Sequence, residues 1–330
     1  MAIRWGICSA GKISHDFVVG LKSLPDSEHQ VVAVAASRSL EPATKFAETH
    51  SIPRAYGSYQ ELSRDLEVDV VYVGNLHGQH KTAVLMMIAS GKHVLCEKPM
   101  TMYAKDTAEL IAAAREKNVF LMEAVWTRFF PAIVELRKRI AAGEVGDVKF
   151  VNAHFGFRVP KRSDRLTEPG LGGGSLLDVG VYPIQFATMV FGERPESIHT
   201  TGWLMDTGVD ETAFLTLKYS GERVAHLACS TNLRLKNEAV VVGTKGILKL
   251  PSPFWCPTKL ETTSEVLDFP LPEPYLPTNF QNSVGLRYEA SAVRECILAG
   301  KTESEVAPLD QTQIVADIVE SGLQTLGVKY

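Results

Sequence analysis

Cysteine is scarce in these 330 residues. The five present, Cys8, Cys96, Cys229, Cys256 and Cys296, lie far apart and are never spaced as C-x-x-C. That pattern offers neither a disulfide framework nor a zinc site, and an odd count suits free thiols in a reducing compartment, so a cytoplasmic location is expected. Long apolar runs are missing too: the longest covers residues 83–89, far short of the about 20 residues that a membrane-crossing helix needs. The opening MAIRWGICSAGKIS turns to Gly, Ser and Lys before an apolar signal core develops, so neither a leader nor a membrane partner is expected. Charge of one sign is also lacking. With 34 basic and 38 acidic residues the net charge is −4, without the basic footprint that nucleic acid would require. No His, Cys or carboxylate set has metal-ligand spacing, so no metal is expected.

What is present is patterning. With 45% hydrophobic and 22% charged residues the composition is that of a folded globular chain, and the length exceeds what one core usually serves. Two domains are expected, 1–125 and 126–330. From residue 3 to 125, the short apolar runs IRWGICS, VVAVAAS, DVVYVGN, HVLC and VFLMEAV alternate with segments of helical period. These are a stretch reaching residue 24, then PATKFAETH, HKTAVLMMIAS and AKDTAELIAAAREK. Such alternation predicts an α/β Rossmann domain with a doubly wound parallel sheet, and near-continuous runs such as 31–36 suit strands covered on both faces. Gly91 closes one helix and Pro131 sits where the next starts. After residue 143 the apolar residues recur at period two, in DVKFVNAHFGFR, ETAFLTLKY, ERVAHLACST, EAVVVGTKGILKL and TKLETT, interrupted by a helix around 176–190. This predicts an α+β domain with a large, mainly antiparallel open-faced sheet. Helices are expected over 282–299 and 311–326, with the Pro-rich 270–277 as a crossing loop.

Five places carry chemistry. The first strand-to-helix turn reads Ser9-Ala10-Gly11-Lys12-Ile13-Ser14, a dinucleotide fingerprint G-x-G-x-x-G with serine at its outer two positions; Gly11 is the one that lets backbone approach a pyrophosphate. A P-loop is disfavoured, because Ile13 stands where that motif needs Ser or Thr on magnesium. The second apolar run ends in Ser37-Arg38, where an NAD enzyme places an acid on the ribose 2′-hydroxyl. A hydroxyl and a guanidinium suit a 2′-phosphate instead, which favours NADP. Gly74, Asn75, His77 and His80 follow the third run and Glu97-Lys98-Pro99 the fourth, at strand ends that face the ligand crevice of such sheets. Downstream, a glycine run Gly172-Gly173-Gly174 leads into a helix whose Asp178 and Tyr182 are four apart, hence on one face.

Together, Ser9 to Ser14, Glu97-Lys98-Pro99 and GGSLLDVGVY resemble the glucose-fructose oxidoreductase and inositol dehydrogenase (Gfo/Idh/MocA) superfamily, essentially end to end. Within it, RWGICSAGKIS, EHQVVAVAAS, VLCEKP, LMEAVWTRFFP, GTKG and PFWCPT are similar to a branch that oxidises trans-dihydrodiols and D-xylose with NADP. The resemblance implies that Tyr182 is the general acid/base, Lys98 its electrostatic partner near the nicotinamide and Asp178 a positioning group. Many superfamily members carry His where this chain has Tyr182, as that branch does. The same resemblance implies a substrate pocket with Trp126, Arg128, Phe155, Trp255 and Phe280, flat walls that suit a dihydrodiol ring or the less polar face of a pyranose. It also implies a homodimer joined through the C-terminal sheet. Oxidising a secondary alcohol needs a base; a phenol titrating near 10 must be lowered by about two pH units, about 2.7 kcal/mol, to serve near pH 8. A related NADPH-dependent reductase of a ketose or anhydrofructose, and a non-catalytic NADP sensor, are the competing readings. The joint presence of Lys98, Asp178 and Tyr182 argues against the sensor.

Replacing Arg38 with Ala is expected to weaken NADP⁺ binding by about 1.5–3 kcal/mol, the value of a hydrogen bond to a charged group, and to spare NAD⁺. Equal losses for both cofactors in a fluorescence titration contradict the assignment.

Overall fold

The computed structural model describes residues 1–158 and 163–330. They form two units: Met1–Thr101 with Lys105–Trp126 and Leu271–Leu309, and Met102–Ala104 with Thr127–Pro270 and Asp310–Tyr330. The first part of the chain alternates as its apolar pattern predicts, through β1 (Ile3–Cys8), α1 (Lys12–Leu21), β2 (His29–Ala35), α2 (Leu40–His50), β3 (Arg54–Tyr56) and α3 (Tyr59–Ser63). It continues through β4 (Val70–Val73), α4 (His80–Ala89), β5 (His93–Glu97), α5 (Ala104–Lys117) and β6 (Leu121–Ala124). These strands pair in parallel in the order β3-β2-β1-β4-β5-β6. Every residue of β4 is buried, as a strand covered on both faces must be. The strand order reverses between β1 and β4, and the loops leaving their carboxyl ends therefore open a crevice. α1 stops at Leu21 rather than at residue 24, because Pro25 disfavours helical backbone in the residue before it; Ser23 and Leu24 keep only single turns, onto Gly20 O and Leu21 O.

The second half begins with α6 (Pro131–Ala141), β7 (Val148–Gly156) and the single turn α7 (Asp164–Thr167). A π-helical turn, Leu176–Gly180, runs directly into α8 (Val181–Phe191). Then come β8 (Ser197–Leu204), β9 (Asp210–Tyr219), β10 (Arg223–Ser230), β11 (Ala239–Gly243), β12 (Ile247–Leu250), β13 (Lys259–Glu261), β14 (Val266–Asp268), α9 (Leu286–Leu298) and α10 (Leu309–Leu326). The eight strands β7 to β14 form one sheet, ordered β14-β13-β12-β11-β7-β10-β9-β8. Only β7 and β10 pair in parallel; the other neighbours are antiparallel. The period-two pattern has its expected meaning: Ala213, Leu215 and Leu217 of β9 are buried while Phe214, Thr216 and Lys218 between them are not. α8 packs on the buried face over β7 and β10. The stretch Pro169–Phe191 is apolar enough to pass for a membrane helix, yet 89% of its most apolar window is buried inside the protein, which makes it a core helix.

A single division after residue 125 does not describe the chain, because Leu271–Leu309 clusters with the first unit. Asp16 on α1 explains the return. Its carboxylate accepts hydrogen bonds from Asn279 N, Asn279 Nδ2 and Phe280 N, each at 2.8 Å. α9 then lies so close to α1 that a Cβ at Gly20 would stand 3.2 Å from both Val284 O and Arg287 N.

His29, at the start of β2, generates a pH dependence. It is 3% exposed, and its Nδ1 accepts from Trp5 Nε1 at 3.2 Å, which requires that nitrogen to be unprotonated. Burial, aided by the charge of Arg294 and opposed by Glu28, pushes its pKa down to about 4. The unfolded chain protonates near 6.5, so the stabilisation is complete above that pH and is lost as pH falls toward 4. Chemical denaturation midpoints are expected to drop between pH 6.5 and 4, and to drop less in His29→Asn. An identical pH slope in the variant contradicts this.

Candidate active site

The first unit supplies a cradle for an anion. Gly11 is the N-cap of α1, with no side chain capping the helix and no acid in its first turn, so the helix dipole and its free N–H groups are open to a ligand. Ser9, in place of the fingerprint's first glycine, holds φ at +106°, a region that favours glycine and costs another residue about 1–3 kcal/mol. Ser14, in place of the last, is fully buried on Gly74: a Cβ at Gly74 would stand 2.7 Å from Ser14 Oγ. The close approach between helix and strand that the motif achieves with its third glycine is thus provided from the other side. The side-chain amide of Asn75 is buried beside the Tyr59 phenol and lacks a full set of hydrogen-bond partners among the described residues, which leaves capacity for a ligand. An uncapped helix start, a glycine corner and an under-satisfied amide at one strand-order reversal fit a dinucleotide.

Ser37 and Arg38 are exposed just beyond β2, Lys12 is exposed, and Ala10 and Ile13 are partly so. His77 and His80 are buried. His80 sets Nδ1 2.9 Å from Pro99 O and Nε2 3.1 Å from Asn75 O. It straps the loop after β4 to the Lys98-Pro99 turn, and burial pushes its pKa down, so the neutral ring donates to one carbonyl at a time. Glu97 is a brace: Oε1 accepts the Tyr72 hydroxyl at 2.6 Å and Oε2 the Lys98 N–H at 3.2 Å. Burial raises its pKa against the opposing pull of Tyr72 and Lys98. Tyr59, opening α3, went unread in the sequence. Burial raises its phenol against the hydroxyls of Ser37 and Ser9 beside it.

The second unit supplies a reactive surface. The glycine run is packed too tightly for side chains: a Cβ at Gly173 would meet Leu166 C and O at 2.9 Å, and one at Gly174, where φ is +109°, would meet Asp210 Oδ1 at 2.3 Å. Asp210, fully buried at the start of β9, accepts from Ser175 Oγ at 2.6 Å and Leu176 N at 2.7 Å. It thereby holds the first N–H groups of the helix. Its pKa is raised by burial, against those bonds. The helix starts as a π-turn, whose wider winding brings positions four apart closer into line. Asp178 Oδ1 accepts from Arg165 at 2.6 Å, with the carboxylate side chain 9% exposed and the guanidinium 40%. The Tyr182 ring lies 5.3 Å from that of Phe155, and Phe155 stacks on Trp255 at 3.7 Å and 9°. Thr127 Oγ1 fixes Trp255 through its carbonyl at 2.6 Å.

Within the second unit, part of the expected pocket comes together. Phe155, Tyr182 and Trp255 form one aromatic wall, on the helix face that carries Asp178. Arg128 is 2% exposed and bonded through its three nitrogens to Gln185 and Gln311, so it ties α8 to α10 instead of facing a ligand. Trp126 and Phe280 belong to the first unit, Trp126 buried and Phe280 half-exposed. Among the described residues no three His, Cys, Asp or Glu group to hold a metal.

A doubly wound unit with an open phosphate cradle, followed by a sheet unit presenting a carboxylate and a phenol beside flat aromatic rings, defines a nicotinamide-dependent oxidoreductase. Family models agree: residues 3–125 match "Oxidoreductase family, NAD-binding Rossmann fold" and residues 133–249 match "GFO/IDH/MocA C-terminal domain". The chain belongs to the GFO/IDH/MocA oxidoreductase family. It is similar to the trans-1,2-dihydrobenzene-1,2-diol dehydrogenase of Danio rerio, with 52% identity over all of this chain and 98% of that one. The Homo sapiens enzyme of the same name is 48% identical with the same coverage. Among solved structures, a levoglucosan dehydrogenase complexed with NADH and levoglucosan has a TM-score of 0.85 at 16% identity, covering 99% of this chain and 98% of that one, which shows the shared fold.

Gly174→Ala combines a left-handed backbone with a clash against Asp210. It is expected to lose about 2–4 kcal/mol of stability in denaturant titration. A variant as stable as wild type contradicts the packing described.

Proposed function

We propose that the protein is an NADP-dependent dehydrogenase that oxidises a secondary alcohol in cyclic diols, taking trans-dihydrodiols to catechols, and in aldopyranoses such as D-xylose, giving the lactone. The observation that carries this reading is the phenol of Tyr182 set against the Phe155–Trp255 wall on the same helix face as Asp178. The names of the relatives at about half identity over the full chain support the substrate class, and Ser37-Arg38 in place of a carboxylate supports NADP.

A bound nicotinamide would supply the acceptor for the hydride leaving the carbinol carbon. The residues of the chain do the rest. The uncapped start of α1 and Gly11 would hold the pyrophosphate, and Ser37 and Arg38 the 2′-phosphate. Tyr182 takes the hydroxyl proton at its phenolic oxygen as the C–H bond breaks, and gives it back in the reverse direction. Asp178 accepts a hydrogen bond from the neighbouring hydroxyl of the diol, with Arg165 holding it in place. Phe155 and Trp255 present flat apolar faces to the ring and exclude water from its underside. Lys98, on the turn that Glu97 and His80 brace, supplies positive charge on the cofactor side. For assembly, Trp203 on β8, half-exposed and against Phe214 at 5.8 Å, supports a homodimer through the open face of the eight-stranded sheet.

Tyr182→Phe keeps the ring and removes the acid. kcat is expected to fall about 10²–10⁴-fold with NADP⁺ affinity nearly unchanged, whereas Lys98→Met is expected to disturb both. A Tyr182→Phe enzyme within a few-fold of wild type would mean that another group moves the proton.

A further inference from the structure

The residues that aim Asp178 and Tyr182 are not confined to their own helix. The run 172–175 that leads into it has no side chains to wedge it in place until Ser175, so its conformation rests on hydrogen bonds. Three come from the preceding segment: Gly172 N to Pro169 O at 3.0 Å, Gly173 N to Glu168 O at 3.1 Å and Gly174 N to Leu166 O at 3.0 Å. Asp210 supplies a further anchor, on Ser175 and Leu176. Another comes from 157 residues away, where the Tyr330 hydroxyl donates to Gly173 O at 2.6 Å.

Tyr330 is brought there by a defined turn. α10 ends with Gly327 at φ +79°, and Gly327 N and Val328 N bond back to Gln324 O and Leu323 O, which reverses the chain. α10 is itself tied to α8 through Arg128, which bonds both Gln185 and Gln311. The Tyr330 hydroxyl lies 3.2 Å from where a Gly174 Cβ would stand, on the Asp210 side. Burial, with the negative charge of Asp210 beside it, raises its phenol well above the usual range, so it stays a donor at any working pH. The Gly173 carbonyl precedes Gly174, whose own carbonyl accepts from Asp178 N at 3.3 Å. A slip at this point is therefore transmitted directly to the first turn, and misplacing a catalytic group by about 1 Å can cost about 10²-fold in rate.

We propose that Tyr330 is a positioning residue for the reaction: its hydroxyl, bonded to the Gly173 carbonyl, locks the glycine run so that the helix presents Asp178 and Tyr182 in register with the Phe155–Trp255 wall. The inference rests on the preceding reading of Tyr182 as the proton carrier.

The test is a double-mutant cycle of Tyr330→Phe and Tyr182→Phe, assayed as NADP⁺ reduction by trans-1,2-dihydrobenzene-1,2-diol, with thermal midpoint and NADP⁺ affinity measured for each protein. Tyr330→Phe alone is expected to lower kcat by about 5–20-fold with KM and NADP⁺ affinity changed less than about twofold. In the Tyr182→Phe background the same change is expected to lower kcat less than about twofold, because a residue acting through Tyr182 has nothing left to position. A merely structural role predicts equal losses in both backgrounds, which overturns the inference. So does a Tyr330→Phe enzyme at wild-type rate beside a crippled Tyr182→Phe, an outcome that leaves the acid/base reading intact. Tyr182→Phe at wild-type rate removes that reading and this inference together. Tyr330→His, which retains a donor, is expected to recover part of the lost kcat, and failure to exceed Tyr330→Phe counts against the hydrogen bond as the cause.

Discussion

A carboxylate with no exposure to solvent fixes the reactive end of this protein. Asp210 reaches from the first residue of β9 to the start of the Asp178–Tyr182 helix and takes both Ser175 Oγ and Leu176 N. Removing such a group from water is costly, and hydrogen bonds from the helix start offset that cost best where backbone N–H groups carry a partial positive charge. Gly174 must then lack a side chain, since any Cβ would overlap Asp210 Oδ1. From that point the helix runs on buried over β7 and β10, and Tyr182 is carried against Phe155 of the Phe155–Trp255 wall. Arg165 completes the arrangement by holding Asp178 from α7.

The first unit is organised by a different constraint, the reversal of strand order between β1 and β4. There the chain departs from the glycine fingerprint yet satisfies each of its physical demands. Gly11 retains the open corner. Ser9 accepts a left-handed φ, and Ser14 packs against a glycine on the opposite strand end. Compensation of this kind shows why a motif is better read as a set of requirements on backbone and space than as a string of letters.

The doubly wound half was legible because strands buried on both faces must be apolar throughout, and the intervening helices show their period and their stops at Gly91 and Pro131. Asp178 and Tyr182 stand out in the sequence because a glycine run precedes them and their spacing sets them on one helix face, and Lys98 because it follows the end of a strand. The short β3 and α3 left no periodic trace, and β8, SIHTTGWL, lacks the alternation that its partner β9 shows. Asp210, Arg165 and Tyr330 were not legible, since each acts on a residue 35, 13 or 157 positions away and carries no local mark of doing so. The bonds of Arg128, a residue expected in the pocket, to Gln185 and Gln311 were likewise unmarked, since they join residues 57 and 183 positions apart. The return of Leu271–Leu309 to the first unit was equally hidden, because the cause, Asp16 with Asn279 and Phe280, links residues more than half the chain apart.

The most direct test of the account is the initial rate of cofactor reduction by the purified wild-type protein with trans-1,2-dihydrobenzene-1,2-diol and with D-xylose, each offered with NADP⁺ and with NAD⁺. Saturable reduction of NADP⁺ by the dihydrodiol, slower or weaker use of NAD⁺ and measurable oxidation of the sugar are expected. Absence of reduction of either cofactor by either substrate, in a protein that binds NADP⁺, would contradict this.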